Sequence, residues 1–168
     1  MKGKAEIINL FAPYLVIIFT SLIFIGCKKD VSPTKSDFYD FNDGGMTPDM
    51  EYVFVPSEEL TKESINHNYC VNLIVRYLDS CSISALPLNI ESNFNDTDSI
   101  CIVNMEIPLF SENGVPIGKG NFGLFDTSIP LFKDVKVSDI SFISISTPEK
   151  HTQGIISIGV SYQNSNSL

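Results

Sequence analysis

Apolar and polar residues alternate along six separate stretches of this chain, which is the pattern of half-buried β-strands rather than of helices. The six stretches are Met50–Val55, Tyr69–Tyr77, Leu86–Ser92, Ser99–Ile107, Asp139–Ser146 and Ile155–Gln163. From residue 27 onward there is one alanine, Ala85, against fifteen isoleucines, a composition that favours strands. The sequence therefore predicts an all-β fold, an antiparallel β-sandwich of immunoglobulin-like or jelly-roll-like type, over residues 46–168.

The alternation also predicts which side chains face the core. The inward-facing sets are Val71, Leu73, Val75 and Tyr77; Cys101, Val103, Met105 and Ile107; and Ile156, Ile158, Val160 and Tyr162. Pro87 has no N–H to donate to a neighbouring strand, so we expect its strand at the edge of a sheet. Outside the strands, Glu58–Ile65 predicts one or two helical turns.

The start of the chain predicts export from the cytoplasm. Residues 7–27 carry no charge, and two lysines, Lys2 and Lys4, precede them. A positive start, an apolar centre and a small residue at the end are typical of a secretory signal peptide. An uncleaved membrane anchor is the alternative, because 21 uncharged residues are long enough to span a bilayer.

The end of this apolar segment resembles the lipobox of bacterial lipoproteins. Cys27 directly follows the small Gly26 and precedes Lys28. In that family the cysteine thiol is linked to diacylglycerol and the chain is cleaved before the cysteine. The resemblance implies a signal peptide over 1–26, a lipid attachment site at Cys27 and a membrane partner reached through that lipid.

A polar stretch separates Cys27 from the strands. We expect 27–45 to be the lipidated cysteine and a flexible tether, because Val31–Asp43 is too polar to pack. The chain has a net charge of −9, so nucleic acid and anionic membrane surfaces would repel it. Nucleic acid is therefore not an expected partner.

The sequence contains no recognisable catalytic constellation. His67 and His151 lie in predicted loops, and neither accompanies a nucleophile in a known motif. The run Asn93–Asp98 offers oxygen ligands for calcium but lacks the glycine and distal glutamate of an EF-hand, which favours a solvated hairpin loop. We therefore expect a protein that is not an enzyme and that has no cofactor and no metal.

Three cysteines remain if Cys27 carries lipid. Cys70, Cys81 and Cys101 cannot all pair within one chain, and their spacing is not that of a zinc site. We expect small apolar core residues on strands, with a disulfide such as Cys70–Cys81 as the alternative.

Several aromatic residues and one glycine pair are candidates for protein contact. Gly118 and Gly120 flank Lys119, which suits a bulge or a left-handed turn that pushes the lysine outward, or a contact site. The aromatic candidates, which could equally pack in the core or at an edge, are Phe38, Phe41, Phe122, Phe125 and Phe132.

Three segments together resemble the gliding-motility lipoprotein H family (GldH) of Bacteroidetes. Tyr69–Tyr77 (YCVNLIVRY) is similar to its "Y-x-x-x-I-x-L-R-x" strand. Glu106–Gly123 (EIPLFSENGVPIGKGNFG) is similar to its acidic turn followed by "L-G-K-G-x-G", and Gly154–Tyr162 (GIISIGVSY) to its terminal "G-I-x-x-V-G-x-x" strand. Order and spacing agree.

The resemblance implies a lipoprotein associated with the outer membrane and with the gliding machinery, which is tied to type IX secretion. Its expected partners are envelope proteins of a motility or secretion complex. The alternative from another class is a glycan-binding or nutrient-uptake surface lipoprotein. The absence of tryptophan counts against that alternative, since sugar platforms favour flat exposed aromatics, although Tyr39 and Tyr52 could serve.

Overall fold

A computed structural model describes residues 34–41, 45–95 and 100–167 of the protein. In chain order the strands of the described part are β1 (Lys35–Asp40), β2 (Tyr52–Phe54), β3 (Tyr69–Leu78), β4 (Ala85–Phe94), β5 (Ile100–Pro108), β6 (Lys119–Asn121), β7 (Leu124–Val135), β8 (Ile140–Ser146) and β9 (Ile155–Asn164). They form two antiparallel sheets of order β1-β9-β3-β7-β6 and β2-β8-β4-β5. The prediction of an all-β sandwich is confirmed, and each of the six predicted strands is present.

The predicted helical turns form the short helix α1 (Glu58–Glu63) and a following 3-10 turn, Ser64–Asn66. The Ser57 hydroxyl accepts a hydrogen bond from the Leu60 N–H at 3.3 Å, which caps the start of α1. Leu60 is the buried residue of α1. Within the described ranges, no helix has the length and apolar character needed to cross a membrane.

The core-facing side of β3 is as predicted. Its buried residues alternate with half-buried ones along the whole strand, and Val71, Leu73, Val75 and Tyr77 are at most 1% exposed. β3 can be buried on one full face because it has a hydrogen-bonded neighbour on each side, β7 and β9. The strand therefore forms the centre of the five-stranded sheet.

One inward position on β9 was predicted wrongly. Ile158, Val160 and Tyr162 are buried as expected, but Ile155 is buried in place of Ile156. The pairing of β9 with β3 shifts register at this end, so that the strict alternation is interrupted there. An extra residue in one strand moves every side chain before it to the opposite face.

The prediction for β5 holds at only one end of the strand. Ile107 is buried and Met105 packs partly against the core, whereas Cys101 and Val103 are exposed. β5 lies at the edge of its sheet, and its residues from Ile100 to Asn104 are exposed, so the first half of the strand does not pack into the core.

Pro87 does not mark an edge strand, because β4 lies between β8 and β5. The Pro87 carbonyl accepts a hydrogen bond from the Thr147 hydroxyl at 2.7 Å, so its backbone faces the β8 side. On that side the β4–β8 ladder begins at Asn89, two residues later. The missing N–H therefore has no ladder partner to lose, which is why a proline is tolerated inside a central strand.

The prediction of a flexible tether is wrong for Lys35–Asp40, which is β1. This strand pairs with β9 over six residues, from Lys35 opposite Tyr162 to Asp40 opposite Ser157. Its first residue is further held by α1, since the Lys35 ammonium lies 3.0 Å from the Glu63 carboxylate. The hydrogen bond to that carboxylate raises the pKa of Lys35. A polar segment can form an edge strand, because an edge strand pairs with a single neighbouring strand, here β9.

β7 has twelve residues and was not predicted. Its alternation is broken by Pro130 and by Asp134, whose φ is +59°, and the β3–β7 ladder contains register shifts. The ladder with β3, rather than a periodic sequence, fixes this segment in the sheet. β6, with three residues, is too short to give a period at all.

Candidate functional site

Of the two sites predicted from the sequence, the structure describes one. Cys27 lies outside the described residues. The turn Gly118-Lys119-Gly120 lies at the start of β6, which pairs with β7 as an edge hairpin of the five-stranded sheet.

Gly118 is held by a buried tyrosine. The Tyr77 hydroxyl donates to the Leu109 carbonyl at 2.6 Å and accepts from the Gly118 N–H at 2.9 Å. Tyr77 is fully buried, and its hydrogen bond to Leu109 is buried while the one from Gly118 is part-buried. One side chain of the central strand therefore fixes both the segment after β5 and the entry to β6.

The glycines serve close approach of the backbone and not a left-handed turn. A Cβ at Gly118 would lie 2.7 Å from the Asp126 carbonyl oxygen, and one at Gly120 would collide with the Leu124 carbonyl. Neither residue has a positive φ, so the prediction of a left-handed turn at these positions is wrong. Lys119, between them, is exposed as expected.

The left-handed residues are instead Phe122 and Gly123, which join β6 to β7. Their φ angles are +50° and +80°, and Asn121 pairs directly with Leu124. Two positive φ angles in a two-residue loop define a type I′ hairpin turn. Phe122 is fully exposed at this tip, and Leu124 beside it is 39% exposed. We call Phe122 and Leu124 the hairpin tip.

A large apolar residue in a left-handed conformation is unusual at the tip of a hairpin. Phe122 gains nothing from burial there, and a type I′ turn prefers Asn-Gly. A strained, exposed aromatic residue is typical of a contact site, because such a residue is costly to the free protein. The hairpin tip is therefore the strongest candidate for protein contact in the described part of the chain.

Phe122→Asn should raise the free energy of unfolding by about 1 kcal/mol, because it supplies the residue that the turn prefers. Denaturant unfolding of the variant and the wild type measures the difference. Leu124→Asn is the matched control, since Leu124 is also exposed but lies in β7 with ordinary strand geometry. A destabilised Phe122→Asn variant would mean that Phe122 packs against the protein.

Beside the hairpin, the outer face of the sheet carries a linked arginine. The Arg76 guanidinium donates to both oxygens of Asp126, at 2.8 and 3.0 Å, and lies 5.6 Å from the centre of the Phe38 ring. The hydrogen bonds to Asp126 raise the pKa of Arg76. This bidentate pair joins β3 to β7, and the contact of Arg76 with Phe38 joins both to β1.

An open cavity of about 260 Å³ lies beside this pair. Its lining residues are Ile117, Gly118, Lys119, Asp126, Thr127 and Ser128. Asp126 is already paired with Arg76, so Lys119 is the charged group free of an ion pair in this lining. The cavity lacks the convergent acid, base and nucleophile that a catalytic site needs.

The remaining aromatic candidates pack against the protein, which is the alternative to protein contact given above. Phe41, Phe125 and Phe132 pack partly against the core, and Phe38 lies over Gly159 on the outer face. Phe122 is the exception. Of the residues considered for glycan binding, Tyr52 is buried, and Tyr39 meets Tyr52 and Phe54 edge to face. Neither ring forms a flat exposed platform.

The three described cysteines are free, and the prediction of core residues on strands is wrong for Cys70 and Cys101, whereas Cys81 packs partly against the core. Cys70 is half-buried on the outer face of β3, Cys101 is exposed on β5, and Cys81 lies in the turn after β3. Cys70 and Cys81 lie at opposite ends of a ten-residue strand, roughly 25 Å apart at the usual rise, so they cannot form a disulfide. Burial raises the pKa of Cys81, which keeps its thiol protonated and unreactive.

The histidines and the acidic loop offer no site in the described ranges. His67 and His151 are both exposed, in loops as predicted. Asn93 belongs to β4 and not to a loop, and residues 96–99 lie outside the described residues. Among residues 34–41, 45–95 and 100–167, no three histidine, cysteine or acidic side chains are grouped to hold a metal ion.

The fold and the candidate site define a two-sheet antiparallel β-sandwich with an exposed edge hairpin. No protein-family model matches the chain, and no curated protein matches it. It is similar to a chain of the Nora virus structure, with 14% identity and a TM-score of 0.34, over 78% of this chain and 55% of that one. It is also similar to the Tobacco streak virus coat protein, with 9% identity and a TM-score of 0.29, over 82% of this chain and 89% of that one. The class rests on the hydrogen-bonded strand order and not on these likenesses.

Proposed function

We propose that this chain is a lipid-anchored, non-catalytic protein of the bacterial cell envelope that acts by binding other proteins. One observation carries the proposal: the uncharged residues 7–27 end in Gly26-Cys27, and Lys28 follows at once. A thiol at that place is the acceptor of diacylglycerol in lipoproteins. Each buried methylene of an acyl chain contributes about 0.8 kcal/mol, so several chains hold a protein firmly at a membrane.

The positions of Lys35 and of the hairpin tip in the five-stranded sheet support an anchor at one end of the sheet and a binding site at the other. Lys35 pairs with Tyr162, which in turn pairs with Val71 near the start of β3. Leu124 of the hairpin tip pairs with Leu78 at the other end of β3. The seven residue-to-residue steps from Val71 to Leu78 span about 23 Å. The hairpin tip therefore lies at the end of the sheet opposite the point where the chain coming from Cys27 enters it.

The resemblance to the GldH family suggests what the hairpin tip binds. We propose an envelope protein of a gliding-motility or type IX secretion complex, at the outer membrane. The hairpin tip and the exposed Lys119 belong to the segment that resembles that family's "L-G-K-G-x-G". An exposed apolar tip that is costly to the free protein supports a role in contact over a role in stability.

Cys27→Ser, expressed with the wild type in a bacterium that processes lipoproteins, tests the anchor. We expect the wild type in the membrane fraction, with Cys27 as its first residue and acyl groups on it by mass spectrometry. The Cys27→Ser variant should lose both properties. Cys101→Ser is the matched control, because Cys101 is exposed and free, and it should behave as the wild type. An intact Met1, or an unmodified Cys27 in the wild type, would contradict the proposal.

The contact function is tested separately, in a host that glides or secretes through type IX. We expect Phe122→Asn to retain the fold and the anchor but to recover less of the envelope complex on co-purification. Deletion of the gene that left both gliding and type IX secretion unchanged would contradict the assignment. Specific retention on a glycan array would favour the glycan-binding alternative instead.

A further inference from the structure

β5 forms an edge of the four-stranded sheet. Its nine residues pair with β4 in one continuous register, from Ile100 opposite Asn93 to Pro108 opposite Ala85. Among the described strands, β4 is its one hydrogen-bonded neighbour. Within the described ranges, one side of the β5 backbone therefore pairs with no strand.

The direction of each backbone group on β5 follows from β4. Pro87 faces β8, as its bond from Thr147 shows, and so its partner on β5, Glu106, cannot exchange hydrogen bonds with it. Glu106 must then point its N–H and C=O away from β4. By the two-residue period of a strand, the outward-pointing residues are Ile100, Ile102, Asn104 and Glu106.

The other exposed edges of the described sandwich are blunted. β1 carries charged side chains at Lys35, Asp37 and Asp40, and β2 and β6 have three residues each. The free part of β7 contains Pro130 and a left-handed Asp134. Charges, short length, proline and bulges are the devices that prevent edge-to-edge pairing. Before its final Pro108, β5 has none of them except one charge, Glu106.

The first four residues of this edge, Ile100 to Val103, carry exposed apolar side chains on both faces. Ile100 and Ile102 are 52% and 62% exposed on the outer face, and Val103 is 41% exposed on the inner face. A second strand along β5 would cover both faces at once, and it would satisfy the outward N–H and C=O groups.

We propose that a second copy of this chain pairs antiparallel with β5, about a two-fold axis through Val103. This register matches Ile102 with Asn104 and Ile100 with Glu106, so the four outward-pointing residues satisfy one another. It avoids Pro108, which has no N–H, and it places each Glu106 opposite an isoleucine rather than opposite another carboxylate. The two four-stranded sheets become one sheet of eight strands. The inference does not depend on the lipid anchor.

A second copy fits this edge better than a basic partner does. The strand is self-complementary and nearly uncharged, whereas recognition of a basic segment would need acidic side chains along it. One strand covers fewer residues than the 20–30 per side of a standard interface, so the dimer should be weak in dilute solution. Each copy has a net charge of −9, so added salt should strengthen the association.

Cysteine crosslinking of the chain as the cell produces it tests the register. In a Cys101→Ser background, Val103→Cys should form an intermolecular disulfide at least about tenfold faster than Val115→Cys, because paired residues in a complex have a high effective concentration. Val115 is 59% exposed in the loop before β6 and is the matched control for chance collisions. Equal rates for the two variants would overturn the proposal.

Two further measurements distinguish backbone pairing of two β5 strands from other contacts between the copies. Asn104→Pro removes an outward N–H without touching the β4 ladder, so crosslinking at Val103→Cys should fall to the control rate while the melting temperature changes little. Raising salt should increase the crosslinked fraction. A fraction that falls with salt would indicate an electrostatic partner in place of a second copy and would overturn the proposal. Retained crosslinking in Asn104→Pro would also overturn it.

Discussion

Tyr77→Phe should lower the free energy of unfolding by about 1–3 kcal/mol, although it removes one oxygen atom and keeps the ring. The hydroxyl donates to the Leu109 carbonyl at 2.6 Å and accepts from the Gly118 N–H at 2.9 Å. Without it, the part-buried Gly118 N–H loses its partner, which costs about 1–3 kcal/mol, whereas the Leu109 carbonyl still accepts from the Ile117 N–H at 2.9 Å. Urea denaturation followed by far-UV circular dichroism measures the change.

Tyr39→Phe is the matched control for this prediction. Tyr39 also donates its hydroxyl to a carbonyl, that of Val53 at 2.9 Å, but this bond is exposed to water. Water can replace the lost donor there, so the cost should stay within about 0.5 kcal/mol. If the two variants lost equal stability, the buried network around Tyr77 would not be what holds the entry to β6.

Gly159→Ala should destabilise the protein by about 3 kcal/mol, at the upper end of the range for overpacking. Gly159 lies on β9 directly opposite Phe38 of β1. An added Cβ would run into the Phe38 ring and would lie 2.6 Å from the Asp37 carbonyl oxygen. Since the obstacle is partly backbone, β1 must move away from β9, and protection of the β1 amides against hydrogen exchange should fall with the stability.

A double-mutant cycle with Phe38→Ala distinguishes this cause from a general effect of the substitution. Phe38→Ala alone removes the ring beside Arg76, a contact of about 0.5–1 kcal/mol at an exposed site. The double variant should lose less than the sum of the two single losses, because the ring no longer obstructs the methyl group. Additive losses would show that the cost at Gly159 does not arise from Phe38.

Much of the fold could be predicted because one face of several strands is fully buried. In β3 a strict alternation of apolar residues coincides with burial along ten residues, so the sequence alone assigns each side chain to a face. The same reasoning placed Ile158, Val160 and Tyr162 in the core. It failed at Ile155 because a register shift against β3, which no local pattern encodes, reverses the faces.

The candidate site was less predictable. The sequence drew attention to Gly118-Lys119-Gly120, but the left-handed turn lies two residues later, at Phe122-Gly123. A glycine in the sequence indicates that a side chain is not tolerated at that position. It does not indicate whether the reason is a positive φ or a neighbouring backbone that leaves no room for a Cβ. Here the neighbour is the β7 strand, which the sequence did not predict. The sequence signal that could have located the turn is the pair Phe122-Gly123, because glycine readily adopts a positive φ.

The amino-acid sequence by itself determined that this chain forms strands and that they stack in two layers, and it predicts a lipobox-like start whose test is proposed above. Those properties follow from local composition and from a two-residue period. The tertiary structure alone decided that Lys35–Asp40 is a strand, that β5 is an exposed edge and that Phe122 stands at a hairpin tip. Each of these depends on which strands become neighbours, and hydrogen bonds between strands join residues that lie far apart in the chain.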